Sequence, residues 1–317
     1  MPLEPGLREL GKAMAGATPP LSSAEMDAAE ARRRAAARAR LSGLPDDTAE
    51  PERTVCWRGG RLRMRVTAGP ADGPLVLYLH SGGWVAGSTA ATQRSCRALA
   101  RGLDATVVSL DYPLAPECPY PAALENTLAA LRWLASGESG LPGDHGTVIL
   151  AGESAGGNLA AAALLRLRDD GEPLPVRAAL LVVPVLDHDF SRPSYQRFDR
   201  GDIDGRTGMH WYAEQYVSGG AAAATDTPYV WPLRSDWLGG LPPTVLVQAQ
   251  YDPLVDEQCE WAERVGADGG RVELMRYSGV GHGFFGLDHL SPTARCAQHD
   301  ACVALTDFLC RWQWSLA

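Results

Sequence analysis

Lysine is nearly missing from this chain. Lys12 is the single one, and the 29 basic residues in 317 are otherwise arginines, a bias that reads as genome composition rather than function. Acidic residues number 38, for a formal net charge of −9, and no long basic stripe interrupts that balance. Nucleic acid is therefore not expected as a main partner. No apolar run reaches the roughly 18 residues a membrane-spanning helix needs. The start, Met1-Pro2-Leu3-Glu4-Pro5-Gly6, has neither a basic segment nor an apolar one behind it, so no secretory signal is expected. The seven cysteines are scattered, with no Cys-x-x-Cys and no cysteine–histidine cluster at ligand spacing. No metal and no other cofactor is expected, and a reduced, cytoplasmic compartment fits best.

What is present is a composition that supports a sizeable core, 45% hydrophobic and 21% charged. One stretch organises the rest: Val148-Ile149-Leu150-Ala151-Gly152-Glu153-Ser154-Ala155-Gly156-Gly157-Asn158-Leu159. Four apolar residues run into Gly-x-Ser-x-Gly, and an Ala/Leu-rich run follows. That is the strand, sharp turn and helix of a nucleophile elbow, with Ser154 at the tip and a helix N-terminus behind it. An ordinary strand-to-helix turn could carry the same five residues; the strand before and the helix after weigh against it.

Around this stretch, strands and helices alternate. Strands are expected at 54–58 and 62–67 (a hairpin about Gly59-Gly60), 75–79, 106–110, the elbow strand, 178–185, 244–250 and 271–277. Helices are expected at 93–103, 121–135, from the elbow to about 168, at 256–267 and at 293–312. The pattern implies an α/β fold: a central, mostly parallel eight-stranded sheet with helices on both faces and an antiparallel hairpin at one edge. Two parts stand outside it. Residues 1–50 hold a plausible capping box at 22–25, a helix-forming run from Met26 to Ala35 and a loop at 44–47; the run is either a lid or a solvated, arginine-rich arm. Residues 187–241 lack a strong strand and suit an insertion over the site, with a helix near 207–216 and a Gly/Ala stretch at 219–224. The catalytic core is then 51–186 with 242–317. The aromatic group Met209, Trp211, Tyr212 and Tyr216 is either core of this insertion or pocket wall.

A nucleophilic serine needs a base, and the base an orienting acid. His282, in Gly281-His282-Gly283-Phe284, follows the 271–277 strand; Asp252 follows the strand before it. Both therefore lie at strand ends, where open α/β sheets bind ligands. Asp252 is preferred as the acid over Asp256, which suits the start of the next helix; Asp187 is a remote alternative. Tyr78-Leu79-His80-Ser81-Gly82-Gly83-Trp84 closes a strand, and the amides of Gly82 and Gly83, with that of Ala155, would form an oxyanion hole. Trp84, Glu153, Met209 and Tyr212 are the expected substrate contacts.

With these motifs, the chain resembles the hormone-sensitive-lipase-like family of α/β-hydrolase esterases over about residues 53–315. The carrying segments are His80-Ser81-Gly82-Gly83-Trp84, Asp111-Tyr112-Pro113-Leu114-Ala115-Pro116-Glu117, the elbow, Asp252-Pro253-Leu254-Val255-Asp256 and His282-Gly283-Phe284. The resemblance implies the α/β-hydrolase fold, a Ser154/Asp252/His282 triad, no metal, a cap made of the N-terminal helices and the 187–241 insert, and bracing of the oxyanion loop by His80 and Glu117. Ser81 departs from the family's first glycine, Glu153 from its common Asp, and Trp231 stands where a small residue is usual. The expected function is hydrolysis of short to medium acyl esters of small molecules through an acyl-enzyme, by a monomer or a homodimer joined at the last strand and helix, where Trp312 and Trp314 are either exposed or buried. Other branches of the family perform elimination or serve as small-molecule receptors, and acyl transfer uses the same machinery.

Overall fold

The computed structural model describes residues 1–18, 26–42, 50–173, 175–198, 206–217 and 226–314, the side chains of 312–314 excepted. The sequence-predicted capping box at 22–25, the loop at 44–47, the Gly/Ala stretch at 219–224 and the Trp312 and Trp314 side chains lie outside the described residues.

Eight strands form one sheet: β1 (Glu52–Trp57), β2 (Gly60–Thr67), β3 (Pro74–Leu79), β4 (Thr106–Leu110), β5 (Asp144–Glu153), β6 (Val176–Val182), β7 (Thr244–Tyr251) and β8 (Val272–Gly281), in the order β1-β2-β4-β3-β5-β6-β7-β8. The hairpin β1/β2 joins antiparallel to β4, and every other neighbouring pair is parallel. The described helices are α1 (Pro5–Ala17), α2 (Ala28–Leu41), α3 (Gln93–Leu103), α4 (Ala122–Ala135), α5 (Ala155–Asp169), α6 (Pro193–Phe198), α7 (Arg206–Val217), α8 (Val255–Ala267) and α9 (Pro292–Trp314). The fold is that of an α/β hydrolase.

The central strands are buried on both faces, so their sequences are continuously apolar and their alternation shows only in what each residue meets. Leu75, Leu77 and Leu79 of β3 and Leu150 of β5 pack with α4, α5 and α8; Val76, Tyr78 and Ile149 pack with α3 and α9. The residues beyond the strands' carboxyl ends are thereby fixed from below by two full layers.

Of the boundaries that differ from the sequence reading, two bear on the site. β6 stops at Val182, not at residue 185, because Val183 has φ 40° and Pro184 has no N–H to continue the ladder. β8 runs on to Gly281, so the loop bearing His282 leaves directly from a strand. In the first segment, Asp27 caps α2 by accepting from the Glu30 N–H at 2.7 Å. Among the described residues, no helix is long and apolar enough to cross a membrane.

Helix α5 approaches β3 closely enough to exclude a side chain. A Cβ at Gly156 would lie 2.1 Å from the Leu79 carbonyl oxygen, whereas one at Gly11, in α1, would meet nothing within 4 Å. Both are helical, so alanine should help each by about 1 kcal/mol of propensity. Gly11→Ala is expected to show that gain in a denaturant midpoint. Gly156→Ala should instead lose about 1–3 kcal/mol, because backbone must move to admit the methyl.

Candidate active site

Ser154 sits between β5 and α5 with φ 56° and ψ −116°, a left-handed conformation unusual for serine. Its neighbours hold it there. The Ser154 N–H donates to the Val182 carbonyl at 2.9 Å, and its own carbonyl accepts from Asn158 at 2.9 Å and Val185 at 3.3 Å. Asn158 is fully buried, and its amide donates to the carbonyls of Val185 (3.1 Å) and Val230 (2.8 Å). One side chain thus joins the first turn of α5 to the loop after β6 and to a turn more than seventy residues on. The sequence placed Asn158 in the elbow motif without a role.

The three residues expected to act together lie in one hydrogen-bonded line. The Ser154 hydroxyl is 2.9 Å from His282 Nε2, and His282 Nδ1 is 3.0 Å from Asp252 Oδ2. The carboxylate only accepts, so Nδ1 carries the proton and Nε2 accepts from the hydroxyl. Asp252 is fully buried, and its other oxygen accepts from the Leu254 N–H at 2.9 Å, which fixes its rotamer. The competing acids are engaged elsewhere. Asp256 does not cap α8 but accepts from the Ser194 N–H, at the start of α6. Asp187 pairs with Arg192 at 2.6 Å and Arg234 at 2.9 Å.

Beside this line runs the glycine loop. Gly82 and Gly83 have φ 127° and 59°, and a Cβ at Gly83 would fall 2.3 Å from the Tyr212 ring. Among the described residues neither amide has an acceptor, and Ala155, first residue of α5, has the unpaired amide common to helix starts. The loop is braced from both sides. His80 is fully buried and stacks on Tyr112 at 4.1 Å; burial holds its pKa down, so the neutral ring donates from Nδ1 to the Ser81 carbonyl at 2.8 Å. The Tyr112 hydroxyl donates to the His80 carbonyl at 2.7 Å. On the other side, Arg32 of α2 donates to the carbonyls of Val85 (3.0 Å) and Ala115 (3.2 Å) and pairs with both oxygens of Glu117. Glu117 therefore touches the loop through Arg32, and the Arg32 guanidinium keeps its carboxyl near a pKa of about 2.

Ser154 and His282 open on a cavity of about 210 Å³, whose wall includes Ser81, Gly82, Gly83, Glu153, Met209, Tyr212 and residues of α2. A second cavity of about 320 Å³, lined by α1, adjoins the first and shares Arg34, Arg38, Pro253 and His282 with it. Of the four expected substrate contacts, Glu153, Met209 and Tyr212 lie on the wall of the first cavity. Trp84 does not. Its ring is fully buried, stacked on Tyr216 at 4.6 Å and edge-on to Trp231 at 6.1 Å. With φ 62°, its backbone turns the indole down into the core and away from the cavity. Trp231 packs behind it and is likewise core. The aromatic group of α7 divides: Met209 and Tyr212 face the cavity, while Trp211 and Tyr216 are buried. Among the described residues, no group of histidines, cysteines and carboxylates has the makings of a metal site.

A profile of the alpha/beta hydrolase fold matches residues 76–286. An esterase of Mycobacterium tuberculosis, LipI, is 36% identical over 284 residues, covering 85% of this chain and 87% of its own. An ethyl acetate hydrolase of Pseudomonas putida is 31% identical, with 71% and 72% covered. Among solved structures, a hyperthermophilic esterase from Pyrobaculum calidifontis superposes with a TM-score of 0.84 at 33% identity, covering 98% of this chain and 99% of that one.

Glu153 is the site's odd ionisable group. It is buried, its Oε1 has no hydrogen-bond partner among the described residues, and desolvation raises its pKa, with the basic groups His282 and Arg38 opposing the rise. Between the ordinary carboxyl range and that raised value, the folded protein holds a proton that the unfolded chain has lost, so this group's contribution to stability falls as pH rises through the window. Glu153→Gln is expected to be more stable than the parent at pH 8 and to lose that advantage below about pH 4, read as Tm across the range.

Proposed function

We propose a reaction path for this chain, which belongs to the hormone-sensitive-lipase-like α/β-hydrolase family and is a serine carboxylesterase. Ser154 attacks the acyl carbonyl while His282 Nε2 takes the hydroxyl proton. Asp252 holds the imidazole in the tautomer with Nδ1–H and stabilises the imidazolium once formed. The amides of Gly82, Gly83 and Ala155 receive the oxyanion; a single donor of this kind contributes about 2.7–4 kcal/mol to the transition state. His282 then protonates the departing alcohol, and water, activated by the same base, releases the acid. The observation that carries this reading is the unbroken line Ser154–His282–Asp252 opening on the glycine loop.

The substrates we assign are short to medium acyl esters of small molecules. The 210 Å³ cavity supports this, being smaller than the roughly 300–1,000 Å³ of sites that accept drug-sized ligands. The relative named for ethyl acetate points the same way. Helices α1, α2 and α7 serve as the cap. The cytoplasm is the compartment we assign, which the seven free thiols support. No observation favours elimination or ligand reception over hydrolysis.

Burst and steady-state release from p-nitrophenyl acetate, butyrate, octanoate and laurate test this. Activity is expected to peak among the shorter chains and to fall by about 10⁴-fold or more in Ser154→Ala. A mutant that retains the parent rate overturns the nucleophile assignment; a laurate optimum overturns the substrate class.

A further inference from the structure

We propose that Arg38 is a positioning residue for the base, clamping from α2 the backbone that carries His282. The inference rests on the reading of His282 as general base. Arg38 Nη2 donates to the Gly283 carbonyl at 3.0 Å and to the His282 carbonyl at 3.4 Å. Among the described residues the Gly283 carbonyl has no other donor. Both carbonyls belong to the loop that leaves the end of β8, where ladder pairing has ceased after Gly281. Gly283, at φ 72°, admits the guanidinium: a Cβ there would lie 2.8 Å from Arg38 Nη2. The chain is held before this point by the pairing of Gly281 with Tyr251 and after it by the buried Phe284 and Phe285, and Arg38 holds the main chain at the two residues between. A clamp on the main chain there adds to the imidazole's own bonds to Asp252 and Ser154 in placing the ring.

Arg38 also brings a charge. Among the described residues no carboxylate lies within ion-pair distance of it, and it lines both cavities beside His282. Among the described residues, the titratable groups that line these cavities or pair with His282 are Tyr251 from β7 and Asp252 just after it, Glu153 from β5, Tyr212 from α7, and Arg34 and Arg38 from α2, with none from α1. Arg34 is ion-paired with Glu30 at 2.8 Å, so Arg38 is the cation whose removal changes the field at the imidazole. A positive neighbour disfavours the imidazolium. Removing it makes the base easier to protonate and moves the acid limb of kcat/KM to higher pH.

Arg38→Ala, Arg38→Gln and Arg38→Lys separate the two effects, with kcat and KM measured on p-nitrophenyl butyrate from about pH 5 to 9. Arg38→Ala is expected to lose about tenfold or more in kcat with KM within about threefold. Arg38→Gln, which can still donate to the carbonyls, should regain part of kcat while keeping the displaced acid limb. Arg38→Lys should restore the limb. The proposal is overturned if Arg38→Ala keeps kcat within about twofold of the parent, if kcat and KM change in parallel, or if the Gln and Lys variants share the parent's acid limb. Should the Ala variant fail to fold, the Gln and Lys variants decide alone. His282→Ala runs alongside: activity surviving there sinks the base assignment itself, whereas its loss with parent-like Arg38 variants sinks only the clamp.

Discussion

The contact on which the site depends is the approach of α5 to β3 and β5 with nothing but backbone between them. Gly156 lies against the Leu79 carbonyl, and a Cβ at Gly152 would meet the Gly156 carbonyl at 2.2 Å. Only because these helix and strand atoms touch does Ser154 turn back sharply enough to adopt φ 56°. The same contact sets the distance to the glycine loop, since Leu79 is the last residue of β3 and His80 begins the loop. Ser154 and the glycine loop are therefore placed by one close packing event, and the sheet beneath makes it rigid.

Rigid support continues outward in polar form. Loops cannot be held by a hydrophobic core alone, because their carbonyls need donors. Here two buried side chains and one half-buried arginine supply them: Asn158 to Val185 and Val230, Tyr112 to His80, Arg32 to Val85 and Ala115. A fully buried acid, Glu257, accepts from the Leu186 N–H at 2.7 Å at the end of another loop bordering the site. Each connection is made to main chain, so what is fixed is loop shape and not merely a side-chain contact.

This explains what was legible beforehand. The elbow, His282 and Asp252 could be found because their chemistry demands particular residue types at strand ends, and the strand ends are marked by apolar runs. Asp252 was separable from Asp256 because it leaves the strand first and Asp256 suits the start of the next helix, and in the structure Asp256 accepts from the Ser194 N–H of α6. Trp84 misled because it follows two glycines that belong to the site; a positive φ sends its ring the other way, and nothing in residue type announces that. Arg32 and Arg38 were invisible for a different reason. In the run Ala31-Arg32-Arg33-Arg34-Ala35-Ala36-Ala37-Arg38, four arginines look alike, and only tertiary placement gives each its partner.

Helix α2 is thus neither a bare solvated arm nor a lid held by grease. Its buried apolar side chains are the alanines at 31 and 37, which provide little area. What fixes it is the set of bonds its arginines make to the two loops of the site, Arg32 on the glycine loop and Arg38 on the His282 loop. Guanidinium suits this work, since its fork of donors reaches several acceptors at once where an ammonium would not. Binding free energy between two parts is shared by both: if the loops in their working shape dock α2, then α2 docked favours that shape by the same amount. Helix α2, which lines both cavities beside His282, is in this way coupled to the shape of the two loops, and docking of the helix and alignment of the loops become one equilibrium.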